Sequence, residues 1–244
     1  MKLLLLKKKQ EARDTISFMF KSETGLDFKP GQFLRYHITD PQPDERSDNR
    51  FFSIASAPFE NIIRLTTKFA QNESSTFKKN LSKLNVGQSI EAFGPSGSFM
   101  LEDAKKQYVF IEGGIGITPF HSIVLDLNHR HEKINITLLY ANRTGKPLFS
   151  QELNEIAQNH PEFKIYYLIS DEPVNEEQLT PNIKILPGKM NKLMIQSLIF
   201  NLQSPIYYIS GPEPMMMAFE DMLRKMGIPK ENIKRDYFPG YENF

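Results

Sequence analysis

Arg50-Phe51-Phe52-Ser53 sets a guanidinium, two aromatic rings and a hydroxyl in consecutive positions. An arginine offers paired N–H donors to a phosphate, an aromatic ring stacks on a flat ring system, and a hydroxyl bonds a polar ring edge. On a strand, alternation sends Arg50 and Phe52 to one face and Phe51 and Ser53 to the other. An ordinary strand with one surface arginine has the same composition, so this segment alone does not fix a function.

Two later segments have the form of a strand turning into a helix. Glu112-Gly113-Gly114-Ile115-Gly116-Ile117-Thr118-Pro119 follows the apolar run Tyr108–Ile111. Thr118 is read as an N-cap and Pro119 as the first helical residue, ahead of the stripe Phe120, Ile123, Val124 and Leu127. Glycines admit a ligand close to the backbone, and the free N–H groups at a helix start suit an anion. Pro119 stands where the dinucleotide fingerprint has its third glycine, so a tight strand-to-helix turn explains the segment as well. Ser210-Gly211-Pro212-Glu213-Pro214-Met215 repeats the arrangement after Tyr207-Tyr208-Ile209. Met215, Ala218, Phe219, Met222 and Met226 form the apolar face of its helix, and Gly227 is the expected C′ residue. Open α/β sheets bind ligands at such strand ends.

The elements that must position these residues change in kind along the chain. Up to Leu101, short apolar runs (Thr15–Phe20, Phe33–Ile38, Phe51–Ala55, Ile62–Phe69, Ser89–Phe93) alternate with Pro/Gly turns, the pattern of a closed barrel or a sandwich. One helix is predicted near Ser75–Leu84. Beyond the polar stretch Glu102–Gln107, strands at Tyr108–Ile111, Ile134–Tyr140, Lys164–Ile169 and Ile206–Ile209 alternate with helices, which implies a doubly wound parallel sheet. The predicted domains are 1–102 and 103–244.

Composition removes several alternatives. A net charge of +1 supplies no strong field for nucleic acid or an anionic membrane. With no cysteine there is no disulfide, thiolate nucleophile or cysteine-ligated cluster, so redox chemistry requires an organic cofactor or another metal site. The five histidines show no metal spacing. The apolar start Met1–Leu6 ends at Lys7-Lys8-Lys9, too short for a signal core or a membrane span, and is read as a strand of a cytoplasmic protein.

Arg50–Pro58, Gly94-Pro95-Ser96-Gly97-Ser98-Phe99, Gly113–Pro119, Ser210–Met215 and Phe238-Pro239-Gly240-Tyr241 occur in the order and spacing of the ferredoxin–NADP reductase superfamily, which the chain resembles over nearly its whole length. The resemblance implies an antiparallel Greek-key β-barrel that binds flavin, followed by a doubly wound parallel α/β domain that binds the nicotinamide nucleotide, with FAD expected rather than FMN. By that resemblance Arg50 contacts the FAD phosphates, Phe52 packs beside the ring system, Phe51 shares the strand, and Ser53 bonds the flavin N5 edge. Thr66, Thr67 and Lys68 run beside the cofactor, and Ser74-Ser75-Thr76 forms a second phosphate site at a helix start. Gly113, Gly114 and Gly116 form the coenzyme diphosphate loop, with Thr118 near the flavin–nicotinamide contact. Ser210, with Gly211, Pro212 and Met215, lies along the hydride path, so Ser53 and Ser210 are the catalytic candidates. The aromatic tail of Phe238, Tyr241 and Phe244 reaches toward the flavin face or packs on the barrel.

The same resemblance places nicotinamide on the isoalloxazine between the two domains. Asp171, after Ser170, stands where NADP-specific relatives carry arginine; its charge repels a 2′-phosphate and favours NADH, whereas Asn142, Arg143 and Lys146 on a nearby loop suit NADPH. Electrons must then leave for a separate acceptor: ferredoxin, flavodoxin, a haem or di-iron oxygenase component, or a small oxidant. Lys78, Lys79 and Lys83 either welcome an acidic protein of that kind or form a solvated helix face. Phe52 replaces the family's usual tyrosine and Ser210 a frequent cysteine. These departures keep open a second reading, a non-catalytic nucleotide-binding or docking subunit.

Overall fold

The computed structural model describes residues 1–45, 47–69 and 75–236. Among the described residues the chain divides into two compact units: Met1–Met100 with Thr118–Asp126, and Leu101–Ile117 with Leu127–Asp236. Strands of the first unit are β1 (Lys2–Ala12), β2 (Thr15–Ser22), β3 (Phe33–His37), β4 (Asn49–Ser53), β5 (Ile63–Lys68) and, after helix α1 (Thr76–Lys83), β6 (Ser89–Ser96). They form one antiparallel sheet in the order β4-β3-β6-β1-β2-β5. Strands β4 and β5 stand at its two ends, and the chain beyond β4 draws them together. The N–H of Ala55 donates to Arg64 O (2.8 Å), and Ser56 Oγ donates to Ile62 O (2.7 Å) while accepting from the N–H of Arg64 (3.1 Å). The interior holds Phe18, Phe20, Leu34, Tyr36 and Leu65, roofed by Phe77 and Leu81 of α1, all fully buried.

After β7 (Tyr108–Gly113) of the second unit comes α2 (Ile117–His129), most of which groups with the first unit; the second unit goes on with β8 (Ile136–Asn142), α3 (Ser150–Asn159), β9 (Lys164–Ile169), β10 (Glu177–Thr180), β11 (Ile183–Pro187), α4 (Lys192–Ile199), β12 (Ile206–Ser210), α5 (Glu213–Lys225) and β13 (Ile233–Arg235). Its sheet order is β10-β11-β9-β8-β7-β12-β13, parallel throughout except for the β10–β11 pair. Strand order therefore reverses between β7 and β12: the chain leaves β7 toward β8 and returns on its other side at β12. Such a switch point opens a crevice at the carboxyl ends of the two strands.

Several sequence expectations shift. Helix α2 starts at Ile117 after a 3₁₀ turn over Gly114–Gly116, so Thr118 lies inside the first turn and is not its cap. In α5, Ala218 is exposed; the buried face is Phe219 and Leu223, flanked by Met215, Met216, Met222 and Met226. Gly227 does end that helix, at φ +87°, with its N–H on Arg224 O and that of Ile228 on Leu223 O. This is the paired bonding of a Schellman cap, which needs the left-handed backbone that glycine adopts without strain. Strands β10, β11 and β13 and helix α4 add to the elements read from sequence. Among the described residues no helix is long and apolar enough to cross a membrane.

Candidate functional site

In the first unit, two of the expected phosphate ligands converge. Arg50 is buried, and its Nη2 donates to Asp44 Oδ1 (3.2 Å) while Nη1 donates to Ser47 O (2.9 Å). The other oxygen of the same carboxylate, Oδ2, accepts from the N–H of Thr76 (2.8 Å), and the N–H of Asp44 returns a bond to Thr76 Oγ1 (3.1 Å). Ser75 caps α1, its Oγ accepting from the N–H of Lys78 (3.3 Å). An arginine and the N–H groups at a helix start thus close on one carboxylate, a donor set suited to an anion. A diphosphate asks for the same donors, so these residues fit the phosphate part of FAD.

The neighbouring strand is used differently. Thr66 Oγ1 shares a buried hydrogen bond of 2.7 Å with Ser17 Oγ across β5–β2, which gives it a structural role in the sheet. Thr67 is buried, and exposed Lys68 pairs with Asp14 at 3.0 Å. Phe52 is half-buried, edge-on to Tyr36 (centroids 5.8 Å) and tilted on Phe77 (5.9 Å); Phe51 meets Phe33 at right angles. Ser53 is buried at the end of β4.

In the second unit, the two glycine-bearing turns lie side by side at the switch point. A Cβ on Gly116 would stand 2.6 Å from Gly211 N and from Ser210 C, and one on Gly113 would stand 2.4 Å from Met215 Sδ. A methyl group on Gly116 would thus meet the backbone of the second turn, whereas at Gly113 it would meet the flexible end of Met215. Gly114 differs. Its φ is +52°, nothing lies within 4 Å of a Cβ built there, and its carbonyl accepts from Tyr140 Oη at 2.8 Å. The turn is pinned from below and open above Gly114, the space a nucleotide diphosphate requires.

Beneath the turns, one side chain per strand forms a transverse row. Tyr167, Tyr140, Glu112 and Ser210 are successive register partners on β9, β8, β7 and β12, and so share one face; all are buried. Ser210 Oγ donates to Asp236 Oδ2 (3.1 Å), just past β13. Glu112 is fully buried, and among the described residues neither carboxyl oxygen has a hydrogen-bond partner. Burial, and then the nearby charge of Asp236, push its carboxyl well above the usual range. The row below it, Ile165, Leu138, Phe110 and Tyr208, is almost entirely hydrocarbon.

A match to the oxidoreductase NAD-binding domain covers residues 110–221, from the middle of β7 into α5. The chain is 26% identical over 243 residues to a flavohemoprotein of Halalkalibacterium halodurans, covering 95% of this chain and 58% of that protein. The cytochrome b5 reductase domain of Ulva prolifera nitrate reductase superposes with a TM-score of 0.77 at 25% identity, covering 96% of both chains. A ferredoxin NADP+ reductase of Neisseria gonorrhoeae, solved with bound FAD and NADP, superposes at 0.76 with 18% identity, covering 97% of both. This chain is similar to ferredoxin–NADP reductase-like proteins, and its fold is theirs. It spans little more than half the length of the flavohemoprotein it matches.

The residues read for coenzyme choice are direct neighbours. At the ends of β8 and β9 the N–H of Ser170 donates to Asn142 O and that of Asp171 to Arg143 O, each at 3.0 Å. Arg143 Nε pairs with Asp171 Oδ2 at 2.5 Å, and Ser170 Oγ donates to Asp171 Oδ1 at 2.6 Å. The Ser170 hydroxyl, then Arg143, hold the Asp171 carboxyl below the usual carboxylate range. The acidic and basic signals thus belong to one surface pair. A cavity of about 350 Å³ opens between α3, β9 and the β10–β11 hairpin, lined by Tyr167, Ile169 and Val174 among others, but by none of the residues expected at the site. Ser74 and Phe238, with Tyr241 and Phe244, lie outside the described residues. Sequence reasoning missed Asp44, Tyr140 and Asp236, and took Glu112 only as the start of a turn.

Proposed function

We propose that this module takes a hydride from NADH or NADPH onto FAD and passes electrons to a separate acceptor such as ferredoxin, flavodoxin or a haem or oxygenase component. The observation that carries the reading is the pair of turns at the switch point, open above Gly114 and flanked by Ser210. FAD, when bound, supplies the two-electron chemistry; the chain supplies position and a dry surface. Arg50, Ser75 and the N–H of Thr76 hold the flavin's diphosphate, while Phe52 and Ser53 meet its ring. Gly114 and the start of α2, with Thr118, receive the coenzyme diphosphate. Gly211, Pro212 and Met215 shape the opposite wall, and Ser210, fixed by Asp236, orients the carboxamide through its hydroxyl. Asp171 repels a 2′-phosphate and favours NADH.

The test is the visible spectrum of the purified protein, reconstituted with FAD and mixed anaerobically with NADH and then NADPH. The expected result is rapid loss of flavin absorbance, faster with NADH. A protein that binds FAD but is reduced by neither coenzyme would leave the docking-subunit reading instead.

A further inference from the structure

We propose that Glu112 reads the charge of the nicotinamide ring, giving up its proton to water when the oxidised coenzyme lies at the switch point and keeping it when the reduced coenzyme does. The inference rests on the coenzyme reading above and adds to it a residue that tells the two redox forms apart.

A buried carboxylate needs hydrogen-bond donors or a cation beside it. Glu112 is fully buried between Tyr140 and Ser210, its register partners on β8 and β12, each about 5 Å away across the sheet. A hydroxyl has one hydrogen to give. That of Tyr140 goes to Gly114 O (2.8 Å) and that of Ser210 to Asp236 Oδ2 (3.1 Å), so both neighbours spend their donors elsewhere. Among the described residues neither oxygen of Glu112 has a hydrogen-bond partner.

No cation makes up for this. The titratable groups along the row are Tyr140, Tyr167 on β9 and Asp236 past β13. On α2, His121 Nδ1 is bonded to Ala55 O (2.7 Å), and Asp126 and His129 lie toward the far end of the helix. Helix α5 packs on the opposite face, with Val109 and Ile111. Lys234 and Arg235, just before Asp236, pair with Glu102 and Glu220. Burial, and then Asp236, accordingly hold the Glu112 carboxyl well above the usual range.

The two forms of the coenzyme differ by one charge, because the nicotinamide ring is a cation when oxidised and neutral when reduced. With Ser210 orienting the carboxamide on that ring, the charge falls beside the adjacent strand and Glu112. An opposite charge within about 4–6 Å favours the ionised form of a carboxyl. NAD+ thus supplies the cation that the row lacks. The carboxyl O–H bond breaks, the proton goes to water, and carboxylate and ring face each other with no net charge.

Calorimetric titration of the FAD-loaded protein with NAD+ at about pH 7, repeated in phosphate and in Tris, counts the protons exchanged on binding. The expected result is release of about one proton per NAD+, with affinity rising by about tenfold per pH unit. Tetrahydro-NAD, whose ring is neutral and gives up no hydride, should release none. Glu112→Gln and Glu112→Met should abolish the release and weaken NAD+ by about tenfold, with the tetrahydro analogue bound as before. Binding of NAD+ to the wild type without proton release, equal release with the analogue, or release that persists in a folded variant would overturn the proposal. A folded, FAD-loaded protein that binds neither ligand would instead remove the coenzyme reading, and this inference with it.

Discussion

The barrel seat and the sheet's switch point treat a carboxyl group in opposite ways. Asp44 is gripped by a guanidinium and a helix N–H, whereas Glu112 is enclosed with no hydrogen bond to either oxygen among the described residues. The first region is a charged site assembled from side chains and one helix end. The second is made by close backbone approach, with Gly116 against Gly211, above a buried acid whose ionisation its surroundings disfavour. Charge governs one seat and shape the other, so substitutions should fail for different reasons in each.

The sharpest way to break this contrast is Gly116→Ala. Its methyl group would meet backbone at 2.6 Å, which cannot yield as a side chain can. We expect a loss of about 3 kcal/mol in urea unfolding, together with lost coenzyme binding. Gly114→Ala meets open space and is expected to cost only the left-handed backbone penalty, about 1–2 kcal/mol. Equal costs at the two positions would mean that the switch point is not built by backbone approach.

Glu112→Gln sharpens the other half. The folded protein keeps a proton on Glu112 that the unfolded chain releases above its ordinary value of 4.5. Stability is therefore fullest below that pH. It falls by about 1.4 kcal/mol per pH unit above it, until the buried group itself ionises. The glutamine variant lacks this decline, so its advantage over wild type should grow as the pH rises above 4.5 in denaturant titrations. Parallel curves would show that Glu112 finds a partner in solution.

The smallest effect is expected at the surface pair. Asp171→Arg removes the partner of Arg143 and adds a second cation, and should raise kcat/KM for NADPH relative to NADH by roughly tenfold. An unchanged ratio would take Asp171 out of coenzyme choice.

The strands and turns that build both units were largely legible, because alternation, Gly/Pro punctuation and the apolar stripe of α2 are local signals. Gly227 was read correctly for the same reason. Asp44 was not legible: it sits in a polar stretch without periodicity, and its partner Thr76 is 32 residues away. The approach of Gly116 to Gly211 was not legible either, because glycine spacing is the same whether a ligand or another turn comes close. Glu112 carried a signal that went unused. A parallel strand covered on both faces buries every side chain it has, so an acid inside Tyr108–Gly113 had to be enclosed. The polar face of β10 hid its strand character, since an edge hairpin of Glu-Gln-Leu-Thr has no apolar alternation to read.

The transverse row on the second sheet has an evolutionary consequence. Moving two residues along each strand, about 7 Å, passes from a hydrocarbon foundation to a hydrogen-bonding lintel. Load and chemistry are thereby assigned to separate storeys. Exchanging Tyr140, Glu112 or Ser210 changes what the crevice recognises while Leu138, Phe110 and Tyr208 go on carrying the sheet, so one architecture can be refitted for new ligands a strand at a time.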